Sequence, residues 1–159
     1  MKIVFLDIDG VLVNKQYSAL QAKDMRKFDP DCVKQLNRLL EAGDANVVVS
    51  STWRLGYTSL QDLQHMLWDQ GVACDVVGTT PQLDGVRGEE IQEWLDVSDL
   101  DIESFVILDD DSDMAHLLPF LVKTTFDRGL IAEHVDRALE VLRGDHEETK
   151  IKQTLEDGT

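Results

Sequence analysis

The chain has 159 residues, with 31 Asp and Glu against 15 Lys and Arg, for a formal net charge of −16. A chain of this length makes one domain, and 43% hydrophobic residues are enough for an ordinary core. The charge excludes the whole molecule as a general polyanion binder, because a sequence-independent grip on nucleic acid takes clustered Lys and Arg.

Residues 3–8 (IVFLDI) are an apolar run with β-branched members, the pattern of a buried strand. The run is too short and too soon interrupted by acids for a signal peptide. No apolar stretch approaches the ~20 residues of a membrane span. The two cysteines, Cys32 and Cys74, have no CxxC spacing, and the four histidines have no ligand spacing. Reduced thiols in a soluble cytoplasmic protein are expected, with no zinc site.

Residues 14–28 are polar and without periodicity, and read as a loop or short hairpin. Asp29-Pro30 then opens a helix, with Asp29 as N-cap and Pro30 at the first position. Val33, Leu36, Leu39 and Leu40 line one face of it, and Gly43 ends it. Residues 46–50 (NVVVS) form a second buried strand. Ser59 caps a helix carrying Leu60, Leu63 and Leu67 that stops at Gly71. Residues 72–78 suit a third strand, 88–95 a short helix and 104–108 another apolar strand. Ser112 or Asp113 opens a brief helix that ends before Pro119. Residues 120–124 form a last strand, and Leu130, Val135, Ala138, Leu139 and Leu142 mark a closing helix. The domain is thus expected over 1–143, with a polar, flexible tail over 144–159.

Strand and helix alternate along the chain, which argues for a parallel sheet with helices on both faces. Ligands of such sheets bind beyond the carboxyl ends of the strands. The first strand ends in Asp7-Ile8-Asp9-Gly10, the second in Ser50-Ser51-Thr52, and SFVIL in Asp109-Asp110-Asp111. Two acidic clusters and a hydroxyl cluster therefore meet at one rim. Carboxylates so crowded repel unless they are protonated or share a cation. Oxygen ligands without His or Cys favour a hard ion, and Mg²⁺ is the natural candidate. Any one of these clusters alone reads equally well as solvated turn or cap residues.

The three together resemble the haloacid dehalogenase (HAD) superfamily of phosphohydrolases. FLDIDGVLV is similar to its first motif, a strand ending DxD. VVVSSTWR matches the second at Ser50, and FVILDDDSDM matches the fourth at Asp109 and Asp110. Arg87, just before GEEIQEWL, stands where the third motif places a cation. The resemblance covers about residues 3–142 and implies a three-layer Rossmann-like α/β domain with a mainly parallel sheet. It also implies that Asp7 attacks phosphorus and that Asp9 acts as general acid and then base. By the same resemblance Ser50 binds the phosphoryl group and Arg87 offsets its charge. Mg²⁺ would be held by Asp7, the Asp9 carbonyl and Asp109, with Asp110, and less directly Asp113, orienting its shell.

Ser51 and Arg54 are further phosphate-binding candidates, although Ser51 also suits a turn cap and Arg54 an ion pair at the rim. Packing explains Trp53, Trp68 and Trp94 better than ligand stacking does. Thr79 and Thr80 suit loop capping, His116 a helix surface and Asp111 a solvated turn. Neither 14–28 nor 55–86 is long enough for a large cap domain. The resemblance therefore implies an uncapped phosphatase with an open site, acting on a small phosphate ester, a nucleotide or a nucleic-acid phosphate end. Two other classes compete. A receiver-like signalling domain would need a lone Asp at the end of VVVS. A non-catalytic Mg²⁺ or phosphate-binding module would not need Asp7 and Asp9 intact.

Overall fold

The computed structural model describes residues 1–21 and 27–144. Five strands form one sheet: β1 (Lys2–Leu6), β2 (Ala45–Val49), β3 (Val76–Thr79), β4 (Ser104–Asp109) and β5 (Leu121–Lys123). Their order is β3-β2-β1-β4-β5 and every pairing is parallel. The helices are α1 (Lys15–Gln21), α2 (Pro30–Gly43), α3 (Leu60–Asp69), α4 (Arg87–Val97) and α5 (Ala132–Leu142), with 3-10 turns at Thr52–Gly56 and Ala115–Phe120. Among the described residues no helix is long and apolar enough to cross a membrane.

The apolar strands are unbroken because both faces of a parallel sheet are covered. Alternation along each strand sorts the side chains. Val4, Leu6, Val47, Val49, Val106 and Leu108 join the core built with α2, α3 and α5. Ile3, Phe5, Val48 and Ile107 face the other way, against Ile91 and Trp94 of α4 and Met114 and Leu117 beyond β4. Phe5 meets Trp94 and Phe105 edge-on at 5.5 and 5.6 Å. The outcome is the three-layer, Rossmann-like α/β domain that the alternating pattern implies. Between β1 and α2 the described residues hold only α1, and between β2 and α4 only a 3-10 turn, α3 and β3. No separate cap domain is present among them.

Local chemistry sets the element ends. Asp29 accepts from the Asp31 N–H at 2.8 Å, and Pro30 opens α2. Ser59 accepts from the Asp62 N–H at 3.1 Å at the start of α3.

Three expectations are corrected. The segment read as a loop contains α1, started by Asn14, whose Oδ1 accepts from the Tyr17 N–H at 3.1 Å. A helix of two turns is too short to show a period, so only its cap announces it. α2 ends at Gly43 as expected, and the left-handed residue that follows it is Asp44 (φ 49°). Aspartate tolerates this conformation because its short side chain bonds locally. β3 starts only at Val76, and its register against β2 slips by one residue at Val77, between the Val47–Val76 and Val48–Gly78 pairs. The brief helix near Ser112 is a 3-10 turn that begins at Ala115 and includes Pro119. The expected tail from residue 145 lies outside the described residues.

The strand order reverses at β1, which has β2 on one side and β4 on the other. The crevice of the fold therefore opens above the carboxyl end of β1. The segment leading into α2 is tied down by Asp29, which also accepts from the Asn14 side chain. Replacing Asp29 by Ala is expected to cost about 1–2 kcal/mol. Urea unfolding would show this as a lower midpoint at unchanged slope.

Candidate active site

The ladders place the site. Leu6 is level with Val49 on one side and Leu108 on the other. One residue further, Asp7, Ser50 and Asp109 stand in a line across three strands. The main chain carries the pairing that far: Asp7 N–H donates to the Leu108 carbonyl and Ser50 N–H to the Leu6 carbonyl, each at 3.0 Å. Two-residue alternation sends these side chains the same way as Phe5, Val48 and Ile107, toward the face that α4 covers. Thr80 N–H reaches the Val49 carbonyl at 3.1 Å and continues the line on the β3 side.

α4 delivers Arg87 to this line. Its first turn has no side-chain cap of its own. The loop after β4 supplies one: Asp113 Oδ2 accepts from the Arg87 N–H at 3.3 Å, and the Asp113 carbonyl accepts from the Gly88 N–H at 3.0 Å. A Cβ on Gly88 would lie 2.1 Å from the Met114 carbonyl oxygen, so only glycine permits this approach. Arg87 Nη1 then stands 2.7 Å from Asp109 Oδ2 and 3.1 Å from Asp7 Oδ1.

The acids are packed with equal care. Asp109 is wholly buried and Asp7 nearly so. Asp7 Oδ1 accepts from the Ile8 N–H at 2.9 Å, and Asp109 Oδ1 from the Asp111 N–H at 2.9 Å. Gly10 (φ 84°) lets the loop after β1 press against Asp110, where a Cβ would meet Asp110 Cγ at 2.3 Å. The Thr124 hydroxyl donates to the Gly10 carbonyl at 2.6 Å and fixes that loop.

Burial, and then the charge of Asp109, push the Asp7 carboxyl up to about 8, against the opposing pull of Arg87 and the Ile8 N–H. Burial likewise raises Asp109 despite Arg87. For Arg87, burial works to lower the pKa, but Asp7 and Asp109 outweigh it and the guanidinium is held more firmly protonated than usual. One guanidinium thus leaves the cluster short of positive charge.

Asp7, Asp109 and Asp110 each bring a carboxylate oxygen within 4.8 Å of the others. An all-oxygen donor set, buried and under-neutralised, fits a hard divalent cation. The Asp9 carboxylate is not in that group, so its expected part is confined to its main-chain carbonyl. The Asp9 side chain is exposed and accepts from Trp53 Nε1 at 3.1 Å.

The remaining candidates divide clearly. Ser50 Oγ is buried and has no hydrogen-bond partner, a state that costs about 1–3 kcal/mol unless a ligand completes it. Thr80 Oγ1 is buried and unpartnered too. Ser51 Oγ caps the 3-10 turn by accepting from the Trp53 N–H at 3.2 Å. Arg54, read as either a phosphate contact or an ion pair at the rim, is a buried strut. It donates to the carbonyls of Thr80 and Ser51, each at 2.8 Å, and pairs with Glu90 at 3.5 Å. Glu90 in turn accepts from the Leu83 N–H at 2.9 Å, so this knot fixes the 80–83 loop to α4. His116 is exposed and bonded to Gln92. The Trp53–Asp9 bond, the Asp113 cap and the Thr124 clamp were not singled out in the sequence. Only Asp113, four residues after the Asp109 strand end, carries a signal there.

Over residues 3–135 the chain matches the family described as HAD domain in Swiss Army Knife RNA repair proteins. A comparison with curated proteins finds no match. The family match takes in the whole sheet, the Asp7–Asp109–Asp110 cluster and Arg87. The chain belongs to the haloacid dehalogenase superfamily, within the family of HAD domains of Swiss Army Knife RNA repair proteins.

Proposed function

We propose that the protein is a Mg²⁺-dependent phosphomonoester hydrolase working through an aspartyl-phosphate on Asp7, with Asp9 as general acid and then general base. The observation that carries this is the line of Ser50, Asp7 and Asp109 at the switch point, with Arg87 bridging the two carboxylates. Asp7 Oδ1 is held by Ile8 and Arg87, which leaves Oδ2 to attack phosphorus. The unpartnered Ser50 hydroxyl donates to a phosphoryl oxygen and so gains the partner it lacks. Arg87 neutralises charge on the same group, the kind of fixed electrostatic support on which phosphoryl transfer depends. Asp9 gives a proton to the leaving oxygen, then takes one from the water that cleaves the Asp7 ester. Asp7, Asp109 and Asp110, with the Asp9 carbonyl, would hold Mg²⁺. When bound, the ion supplies the positive charge that lets one anion approach another.

Among the described residues no cap domain covers the site. The site therefore admits phosphorylated nucleic-acid ends as well as nucleotides, and the RNA repair proteins for which the family is named favour the former. A net charge of −16 opposes a broad grip on nucleic acid and confines contact to the end itself. Burial pushes the thiols of Cys32 and Cys74 up to about 11 and about 12, and neither is in a disulfide. Inert, unbridged thiols fit a reducing, cytoplasmic setting.

Asp7→Asn is expected to lower turnover of an aryl phosphate at least about a thousandfold while circular dichroism stays unchanged. Full activity in that variant would end the nucleophile assignment. Chelation of divalent ions should abolish turnover and added Mg²⁺ restore it. Arg87→Ala is expected to lower kcat about a hundredfold.

The raised Asp7 pKa gives a stability signature with a definite sign. A carboxyl that stays protonated when folded but ionises when unfolded favours the folded state at low pH. That advantage is lost as pH climbs from about 4 to about 8. Metal-free wild type should therefore lose thermal stability over that window. Asp7→Asn should lose less and melt higher than wild type at pH 8.

A further inference from the structure

Asp9 carries a proton in the proposed reaction, yet its carboxylate is exposed on a loop, where a side chain turns freely. One contact restrains it. Trp53 Nε1 lies 3.1 Å from Asp9 Oδ2, and the indole is itself held. Its ring meets Phe28 edge-on at 5.5 Å, its backbone N–H is bonded to Ser51, and it packs against the main core. Phe28 is only 2% exposed, and its N–H donates to the Gln70 side chain at 3.0 Å. The indole is therefore a rigid donor presented to a mobile acid.

We infer that Trp53 is a positioning residue that fixes the Asp9 carboxyl and selects which of its oxygens carries the proton, an inference that rests on Asp9 being the general acid. An indole N–H donates and cannot accept. The carbonyl oxygen of a carboxylic acid is its stronger acceptor, so the donor on Oδ2 favours the acid proton on Oδ1. The transfer then has one geometry: the Asp7 oxygen bonds to phosphorus, the ester P–O bond breaks, and the Oδ1 proton passes to the departing oxygen. Packing alone does not account for the contact, because Phe28 and the core would hold a phenyl ring as well.

Leaving-group dependence separates positioning from packing. A nitrophenolate departs with little help from an acid, whereas an alkoxide needs the proton. The value of kcat/KM covers steps up to the first irreversible one, so it reports transfer to Asp7. Trp53→Phe is expected to lower kcat/KM about tenfold for an alkyl phosphate and less than about threefold for 4-nitrophenyl phosphate. In an Asp9→Asn background the same change should add less than about twofold on either ester, since coupled residues are non-additive. Replacing Trp53 by its benzothienyl analogue, which keeps the ring shape and loses only the N–H, should reproduce the selective loss even if Trp53→Phe unfolds. Equal losses on both esters, or full additivity with Asp9→Asn, would leave Trp53 a packing residue. If Asp9→Asn itself loses equally on both esters, Asp9 is not the acid, and the assignment to Trp53 goes with it.

Discussion

Asp7 and Asp109 stand side by side at the ends of β1 and β4, almost out of reach of water, and like charges so placed repel. The repulsion follows from the parallel ladder, which sets neighbouring strands level. It cannot be relieved by turning a side chain away, because alternation commits both to the face under α4. The surroundings answer it with Arg87, with the N–H groups of Ile8 and Asp111, and with a geometry that suits a cation. Much of what lies near the rim follows from that requirement.

Arg87 meets it only because a backbone seam brings it there. Gly88 lies against Met114 and Asp113 caps the helix start, so the loop that carries the acids also seats the base. On the other flank the buried Arg54–Glu90 pair joins the turn after β2 to the same helix. Its guanidinium is pulled below its ordinary pKa by burial, while Glu90 pulls the other way. Two of the site's arginines thus do different work: one faces the acids and the other holds the frame.

The parts legible in the sequence are those that follow from chain order and period. Buried parallel strands announce themselves as unbroken apolar runs, and their last residues fall on one rim, so Asp7, Ser50 and Asp109 came together as the pattern implied. Asp29 and Ser59 were readable as caps because each acts within three residues. Contacts across loops were not readable. Trp53 reaching Asp9, Thr124 reaching Gly10 and Asp113 capping α4 join segments far apart in the chain. No local pattern announces the partner of any of them, although Asp113 follows the Asp109 strand end closely enough to draw notice. Arg54 illustrates an intermediate case: its place beside the hydroxyl cluster suited a ligand or an ion pair equally, and the acceptors that hold it, the carbonyls of Ser51, Thr80 and Pro81 and the Glu90 carboxylate, lie partly across loops.

The line of Ser50, Asp7 and Asp109 belongs to the ladder and not to the loops beyond it. Its spacing is as firm as strand pairing, and lengthening or replacing the turns above it would leave these three side chains in register. Spacing and surroundings are therefore separable inheritances in this domain: the loops are free to diverge toward new ligands while the central line stays as it is.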